Sequence, residues 1–420
     1  PPLTAEASGG RRARHRMPSP AISPIRLPLW ILALTPTAFA LTTAPVGTLL
    51  PVLAVAWLLA ARARPRLRDQ LLDPWVLLLL ITGLVGLSSA AWALDTRLAA
   101  TKALLFLATV IPLALLVDGL PVVHDQRVPH WLLGGFALGL ALMGIQTHGD
   151  FLLRGLVFGT TRLHPEHQLN VPAGGLAIAC WLVPLAGLAL GRGGWKLAVP
   201  LVLCTGALAA VSDGSAPALG WLVGGLTLLL ALALPRVVAG GLAAGLLFAQ
   251  FAVPHFAENP FMQSHIHDRN ARIRMDIWQL SARLAEDRPW LGYGFSNSRE
   301  IPERPYKMPL TGKHAKLPLY PHNILMEARL ELGLPGVFLL HGAWWLLLWR
   351  AVRLPPWPRA TALALLASAM AVWCVGYPLW RSAWLAWLFY IALGFVALLR
   401  SADNSAASQP DSRAPTTGIA

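Results

Sequence analysis

Long apolar segments are the feature of this sequence that most constrains its fold. Runs of about 17 to 23 apolar residues recur along the chain, and a helix needs roughly 20 to cross a hydrocarbon core about 30 Å thick. The alternating pattern that is typical of β-barrel strands is absent from the sequence, so the spans are predicted to be helices. We therefore expect an all-α polytopic membrane protein of about 12 transmembrane helices. The predicted spans are 28–44, 46–62, 74–93, 99–117, 131–147, 171–191, 196–212, 216–234, 237–254, 322–349, 359–378 and 383–400.

The composition supports a membrane protein and argues against other classes. Hydrophobic residues make up 55% of the chain and charged residues 13%, which is too apolar for a soluble fold. The net charge of +14 does not predict nucleic-acid binding, because the arginines are spread over short loops and are not interleaved with stacking aromatics. Cys180, Cys204 and Cys374 lie inside apolar runs without metal-ligand spacing, and no cofactor is expected.

Arginine-rich short loops predict the orientation, since such loops stay on the cytoplasmic side. Counting spans from the basic N-terminus places every basic loop on the cytoplasmic side. Met17 is the expected natural start. The two longest loops, 148–170 and 255–320, then lie outside. The predicted segments are a basic cytoplasmic N-terminus at 1–27, nine transmembrane helices in 28–254, a large periplasmic loop at 255–320, three transmembrane helices in 321–400, and a disordered cytoplasmic tail at 401–420.

The large loop contains an amphipathic helix that is predicted to lie on the membrane as a lid. Asn270 is the predicted N-cap, and Arg274 is expected at the edge of the apolar stripe. The predicted stripe contains Ile273, Ile277, Leu280 and Leu284. The predicted polar face contains Arg272, Asp276, Gln279 and Arg283.

Arg274 and the neighbouring cations suggest an anionic ligand. A guanidinium presents a planar fork that matches phosphate oxygens and stays charged at any relevant pH. A second external cluster around Arg162 and His164 faces the same compartment. Both clusters are equally consistent with solvated surface arginines or with contacts to anionic membrane lipids.

His322 is a candidate general base in the stretch Tyr320-Pro-His-Asn323. Pro321 suits a first helical turn, which places His322 at the positive end of a helix. That field favours a neutral imidazole, the state a base requires. The alternative is a capping or interfacial histidine.

Metal-dependent chemistry is not expected. His265, His267 and Asp268 have suitable ligand types, but no Asp-x-Asp stands in an external loop. Cationic side chains would then stabilise developing negative charge.

The ordered motifs of the loop and the following helix resemble those of the O-antigen ligase and polymerase superfamily, specifically the bacterial O-antigen ligase. The resembling motifs are Arg274-Met-Asp-Ile-Trp278, Asp287-Arg-Pro289-Trp-Leu-Gly292-Tyr-Gly294, His322-Asn323, Glu327 and Gly333-Leu-Pro-Gly336. Arg162 matches the first-loop arginine of the family in part, and Tyr320 stands where relatives have a second histidine.

The resemblance implies an inverting, metal-independent glycosyltransferase of the C-type (GT-C) membrane architecture in the bacterial inner membrane. It would transfer O-antigen polysaccharide from undecaprenyl diphosphate to the lipid A core oligosaccharide on the periplasmic side. His322 and Arg274 would be catalytic. The implied diphosphate-binding or substrate-binding residues are Arg162, Arg272, Arg288, Asn323 and Glu327.

Two other functions remain open from the sequence. An O-antigen polymerase of the same superfamily would use the same donor with another lipid-linked glycan as acceptor. A transporter of lipids or anions would also have many spans and arginines, although such proteins more often carry charges within the spans or internal repeats. The sequence does not identify the glycan, the accepting core sugar or the oligomeric state.

Overall fold

A computed structural model of the chain describes residues 26–41, 44–60, 67–119, 127–148, 165–212 and 214–407. Within these ranges the chain forms sixteen α-helices and one two-stranded antiparallel hairpin. The helices are α1 (Arg26–Leu41), α2 (Ala44–Ala60), α3 (Leu67–Leu71), α4 (Pro74–Ser88), α5 (Thr96–Gly119), α6 (Val128–His148), α7 (Pro165–Ala179), α8 (Val183–Ala189), α9 (Trp195–Val211), α10 (Ser215–Ala233), α11 (Pro235–Glu258), α12 (Pro260–His265), α13 (Arg269–Asp287), α14 (Ile324–Ala351), α15 (Pro356–Val375) and α16 (Ser382–Ala407). The strands are β1 (Arg304–Lys307) and β2 (His314–Ala315).

Ten spans within the described residues are long and apolar enough to cross a membrane. They comprise α4 to α6, α7 joined to α8, α9 to α11, and α14 to α16. The first two predicted spans correspond to shorter apolar helices, Leu27–Leu41 and Val46–Leu59. The prediction of an all-α polytopic membrane protein is therefore confirmed. Ten of the predicted spans correspond to helices that are long enough to cross a membrane.

The long helices bury aromatic residues inside the bundle and present apolar residues outside. Trp384 and Trp387 of α16 are fully buried. In contrast, Leu203, Leu226 and Phe248 are 61%, 61% and 73% exposed. Apolar surface on this scale is a liability in water but is stable against lipid tails. The outer face of the bundle is thus suited to a hydrocarbon environment.

Residues 259–323 form a lobe at one end of the bundle, built around α13. Ile277, Leu280 and Leu284 are buried in a small hydrophobic core of the lobe, and Ile273 packs against it. The predicted apolar stripe is confirmed. The predicted cap is wrong, because the side chain of Asp268 accepts the hydrogen bond from the Ala271 N–H at 2.7 Å and the helix starts before Asn270.

The predicted polar face of α13 is also wrong in part, because Asp276 and Gln279 are buried. The carboxylate of Asp276 accepts hydrogen bonds from the backbone N–H groups of Leu310 and Thr311 at 3.0 and 2.8 Å, and from the Thr311 hydroxyl at 2.7 Å. Gln279 donates to the carbonyl of Ala257. These polar groups therefore fasten the β-hairpin and the end of α11 to the lobe helix.

A break in α14 at Gly333 joins the lobe to the bundle. Gly333 has φ +61° and ψ −142°, a region that is essentially open only to glycine. The break falls at the start of the Gly333-Leu-Pro-Gly336 motif. Three backbone hydrogen bonds link the break to segment 289–294: Leu334 N–H to Pro289 O at 3.2 Å, Tyr293 N–H to Leu330 O at 3.0 Å, and Gly294 N–H to Glu331 O at 2.8 Å.

Contacts at the two ends of the bundle agree with the predicted alternation of loops. The turn after α4 reaches the lobe, since the Asp95 N–H donates to Asn297 Oδ1 at 2.7 Å. The loop before α4 lies at the opposite end, where Asp73 pairs with Arg350 at 2.7 Å. The lobe and the turn at Asp95 therefore share one end of the bundle.

Gly333→Ala is expected to destabilise the protein. A Cβ at this position would lie 2.4 Å from the Trp290 carbonyl oxygen, and the backbone conformation itself would cost roughly 1–3 kcal/mol. The measurement is thermal unfolding in detergent. The matched control is Gly342→Ala in the same helix, where a Cβ meets nothing within 4 Å and helix propensity improves. Equal unfolding temperatures for the two variants would contradict this account of the break.

Candidate active site

His322 lies at the junction of the lobe and α14. Its backbone is left-handed, with φ 57°, a conformation uncommon outside glycine. The ring Nδ1 is 3.1 Å from the carbonyl oxygen of Gly376, and the ring packs on Tyr320 with centroids 4.3 Å apart. The predicted place in the first helical turn is corrected, because Asn323 is the N-cap and the helix begins at Ile324.

The contact with Gly376 determines which imidazole nitrogen can act as a base. A carbonyl oxygen only accepts hydrogen bonds, so Nδ1 must carry the proton in this interaction. In the neutral ring the lone pair then resides on Nε2. His322 is thus held in the tautomer that can remove a proton through Nε2.

Asn323 and Glu327 are buried beneath the histidine, with 0% and 2% exposed. Asn323 Oδ1 accepts hydrogen bonds from the N–H groups of Leu325 and Met326 at 2.9 and 3.3 Å. Glu327 Oε2 accepts the N–H of Leu379 at 2.8 Å. Among the described residues their oxygens thus contact the protein backbone, and the substrate contact of both residues stays a prediction.

Arg274 is half-buried on α13, on the side of the lobe that faces His322. It has no hydrogen bond or ion pair with any residue in the described part of the chain. Burial lowers the pKa of its guanidinium, and the nearby Tyr377, Tyr320 and Asp268 oppose this shift. A guanidinium with such a high ordinary pKa remains a cation. Arg274 is therefore a partly desolvated positive charge that forms no ion pair within the described residues, with the carboxylate of Asp268 acting on it only at longer range.

Two tyrosines connect Arg274 to His322. Burial raises the pKa of Tyr320, and the charges of Arg381 and Arg274 lie close enough to oppose the shift. Burial also raises the pKa of Tyr377, whose hydroxyl donates to the Asn170 carbonyl at 2.5 Å. Both phenols are thus neutral at physiological pH. The sequence motifs did not single out Tyr377 and Arg381, although Tyr377 lies at the end of the predicted span 359–378 and Arg381 lies in the short interval before the next span, 383–400.

The other predicted binding arginines do not converge on this site. Arg288 follows α13, where its guanidinium lies 4.8 Å from the Tyr293 ring centroid. It is about 21 Å along the helix from Arg274 at 1.5 Å per residue, so one diphosphate does not reach both. Arg272 is two positions from Arg274 and points away around the helix. Arg162 lies outside the described residues, so its role stays a prediction.

His265 and His267 do not form a metal centre with Asp268 in this structure. His265 stacks on Phe261 with centroids 4.0 Å apart, and its Nδ1 lies 2.8 Å from the Phe261 carbonyl oxygen. Asp268 caps α13. Among the described residues no group of three His, Cys, Asp or Glu side chains has a metal-binding arrangement.

The arrangement combines a base-competent histidine with a half-buried cation that forms no ion pair among the described residues. Such a pair can remove a proton from a hydroxyl while the cation stabilises a departing anion.

Residues 199–341 of the chain match the family model described as O-antigen ligase. The matched segment contains Arg274, His322 and the break at Gly333. The resemblance to the O-antigen ligase superfamily is therefore confirmed.

The chain is also similar to rickettsial proteins named as candidate polysaccharide ligases. It is 29% identical to the protein from Rickettsia felis over 171 residues, covering 39% of this chain and 42% of that protein. It is 31% identical to the protein from Rickettsia prowazekii over 147 residues, covering 31% of this chain and 34% of that protein. The chain thus matches less than half of the length of these relatives.

Tyr377→Phe is expected to destabilise the protein because it removes the hydrogen bond from the Tyr377 hydroxyl to the part-buried Asn170 carbonyl. The net contribution of such a hydrogen bond is about 0.5–1.5 kcal/mol. The matched control is Tyr390→Phe, since the buried Tyr390 hydroxyl has no hydrogen-bond partner in the structure as described. Chemical unfolding in detergent compares the two. A larger loss for Tyr390→Phe would refute the assigned role of Tyr377.

Proposed function

We propose that the protein is a glycosyltransferase that moves a glycan from a polyprenyl diphosphate to an acceptor hydroxyl. The observation that carries this proposal is Arg274, a half-buried guanidinium that forms no ion pair among the described residues, at the same site as His322. A diphosphate supplies the missing anion, and its phosphate oxygens fit the planar fork of arginine.

The reaction follows from the placement of these two groups. His322 Nε2 takes the proton of the acceptor hydroxyl while the acceptor oxygen bonds to the anomeric carbon of the donor glycan. The bond from that carbon to the diphosphate oxygen breaks, and its electron pair leaves with the diphosphate. Arg274 stabilises the charge that grows on this leaving group. A single in-line displacement inverts the anomeric configuration.

The specific donor and acceptor come from the family resemblance. We propose that the donor is undecaprenyl-diphosphate-linked O-antigen and that the acceptor is the lipid A core oligosaccharide, which makes the protein an O-antigen ligase with a GT-C architecture. The match of residues 199–341 to the O-antigen ligase family model supports this choice.

We further propose that the site faces the periplasm from the inner membrane. Arg192 and Arg353 lie in short connections, and Arg236 in the first turn of α11, at the end of the bundle opposite the lobe. Cytoplasmic short loops are enriched in arginine, so the lobe and His322 belong to the other compartment.

An assay with the purified protein tests the acceptor and the need for a metal together. The donor is presented with either lipid A core or a second lipid-linked glycan, in the presence of EDTA. We expect product only with lipid A core. Product only with the second glycan would identify a polymerase, and activity that appears only when magnesium or manganese is added would overturn the metal-independent mechanism.

His322→Ala and Arg274→Lys are expected to fail in different ways. Loss of the base should lower turnover by about 10²- to 10⁴-fold with donor binding nearly intact. Arg274→Lys keeps the charge but loses the bidentate fork, so both donor affinity and turnover should fall. Donor binding and transfer rate are measured for each purified variant.

The matched control is Arg299→Lys, because Arg299 lies on the lobe surface and pairs with Glu300 at 2.9 Å. Its donor affinity and transfer rate should equal those of the native protein. Loss of donor binding in His322→Ala, or native transfer by Arg274→Lys, would contradict the assigned roles.

A further inference from the structure

Two buried carboxylates lie one helical turn apart at the start of α14. Glu327 and Glu331 are 2% and 1% exposed, and within the described residues neither forms a salt bridge. Burying a carboxylate is costly unless its oxygens accept hydrogen bonds. The groups that donate hydrogen bonds to these two carboxylates therefore indicate which segments the pair holds in place.

Both carboxylates bind the short loop that joins α15 to α16, at residues 376–381. Glu327 accepts the backbone N–H of Leu379 at 2.8 Å, and Glu331 accepts the indole N–H of Trp380 at 2.8 Å. Two consecutive residues of the loop are thus attached to the same face of one helix.

Glu331 also holds the lobe. Its Oε1 accepts the hydroxyl and the N–H of Ser298 at 2.6 and 3.3 Å, and its Oε2 accepts the N–H of Ser296 at 2.7 Å. Together with Trp380, four donors converge on one carboxylate. The loop at 376–381 and the lobe are therefore locked to each other through Glu331.

The attached loop carries the group that orients His322. Gly376, at the start of the loop, provides the carbonyl oxygen 3.1 Å from His322 Nδ1. The position of that oxygen depends on the loop, and the loop is fixed at Leu379 and Trp380 by the two carboxylates. Second-layer hydrogen bonds of this kind set the tautomer and orientation of functional histidines.

We propose that Glu327 and Glu331 are positioning residues that hold loop 376–381 so that the Gly376 carbonyl fixes His322 in its base-competent tautomer. The inference rests on the proposed function, because it assigns His322 the role of base. Neither glutamate contacts substrate in this scheme.

The two glutamates should respond differently to substitution by glutamine. Within the described residues only one carboxylate oxygen of Glu327 accepts a hydrogen bond, from the N–H of Leu379. In Glu327→Gln the amide oxygen can keep this bond while the amide nitrogen takes the place of the other oxygen. Both oxygens of Glu331 accept donors, so Glu331→Gln must place an amino group against N–H or O–H groups. Only the first substitution should preserve the loop.

The test compares Glu327→Ala and Glu327→Gln in turnover, donor affinity and pH dependence. Glu327→Ala should lose about 10²-fold in turnover, the scale of a small misplacement of a catalytic group, with donor affinity unchanged. Glu327→Gln should retain most of the turnover, and Glu331→Gln should resemble Glu327→Ala. Glu300→Gln, at an exposed glutamate, is the control and should match the native protein.

The pH profile separates positioning from a general loss of folded protein. The Gly376 carbonyl stabilises imidazolium more than neutral imidazole, since hydrogen bonds to a charged donor are stronger. Loosening this contact should lower the pKa of His322 and move the acidic limb of the rate profile, where the base must lose its proton, to lower pH in Glu327→Ala. A partly unfolded sample would scale the profile without moving it, and that result would overturn the proposal.

A second variant decides the question if Glu327→Ala does not fold. Trp380→Phe removes the N–H donor to Glu331 and keeps an aromatic ring beside Phe295, and it should lower turnover with donor affinity unchanged. Trp344→Phe is its control, because the buried Trp344 indole N–H has no partner in the described structure. Equal turnover of these two variants would overturn the proposal.

The proposed function can fail independently of this inference. If His322→Ala transfers glycan at the native rate, the base assignment is wrong and so is the proposed mechanism. If His322→Ala is inactive but Glu327→Ala and Trp380→Phe keep native turnover and native pH profiles, the glutamates have no positioning role and the base assignment stands.

Discussion

At Gly333 the regular backbone hydrogen bonding of α14 is interrupted, and backbone groups of segment 289–294 form hydrogen bonds with the helix at this point. The N–H groups of Tyr293 and Gly294 bind carbonyls at the break, and the Leu334 N–H binds the Pro289 carbonyl. Backbone groups at membrane depth are costly when unpaired, so the break and segment 289–294 stabilise each other. The part of α14 after the break, 334–351, is about 27 Å long at 1.5 Å per residue and is close to a hydrocarbon thickness.

The break leaves the first turns of α14 at the face of the bundle, where a polar site can be assembled. Glu327 and Glu331 lie on these turns, and both are satisfied by backbone, hydroxyl or indole donors. Arg274, in contrast, receives no carboxylate from the described chain. The structure thus compensates its buried negative groups internally, while the half-buried charge of Arg274 forms no ion pair within the described residues. This charge distribution is consistent with the anionic substrate proposed above.

Much of the architecture could be predicted from local pattern. Apolar runs gave the spans because helix length must match membrane thickness, and the period of Ile277, Leu280 and Leu284 predicted the buried stripe of α13. Two details on that helix were wrong. The cap is Asp268 in place of Asn270. Asp276 is buried, and its local sequence did not reveal this because its partners Leu310 and Thr311 are distant in sequence.

The sequence by itself determined the polytopic helical class and the helical spans, because these depend on local periodicity and chain length, and it predicted His322 and Arg274 as candidate site residues from their chemistry and motifs. Only the tertiary structure decided that Gly376 fixes the His322 tautomer, that Tyr377 lies beside Arg274, and that Arg288 lies away from the site. These outcomes depend on contacts between segments tens of residues apart. Such contacts are set by how helices pack, which no short stretch of sequence encodes.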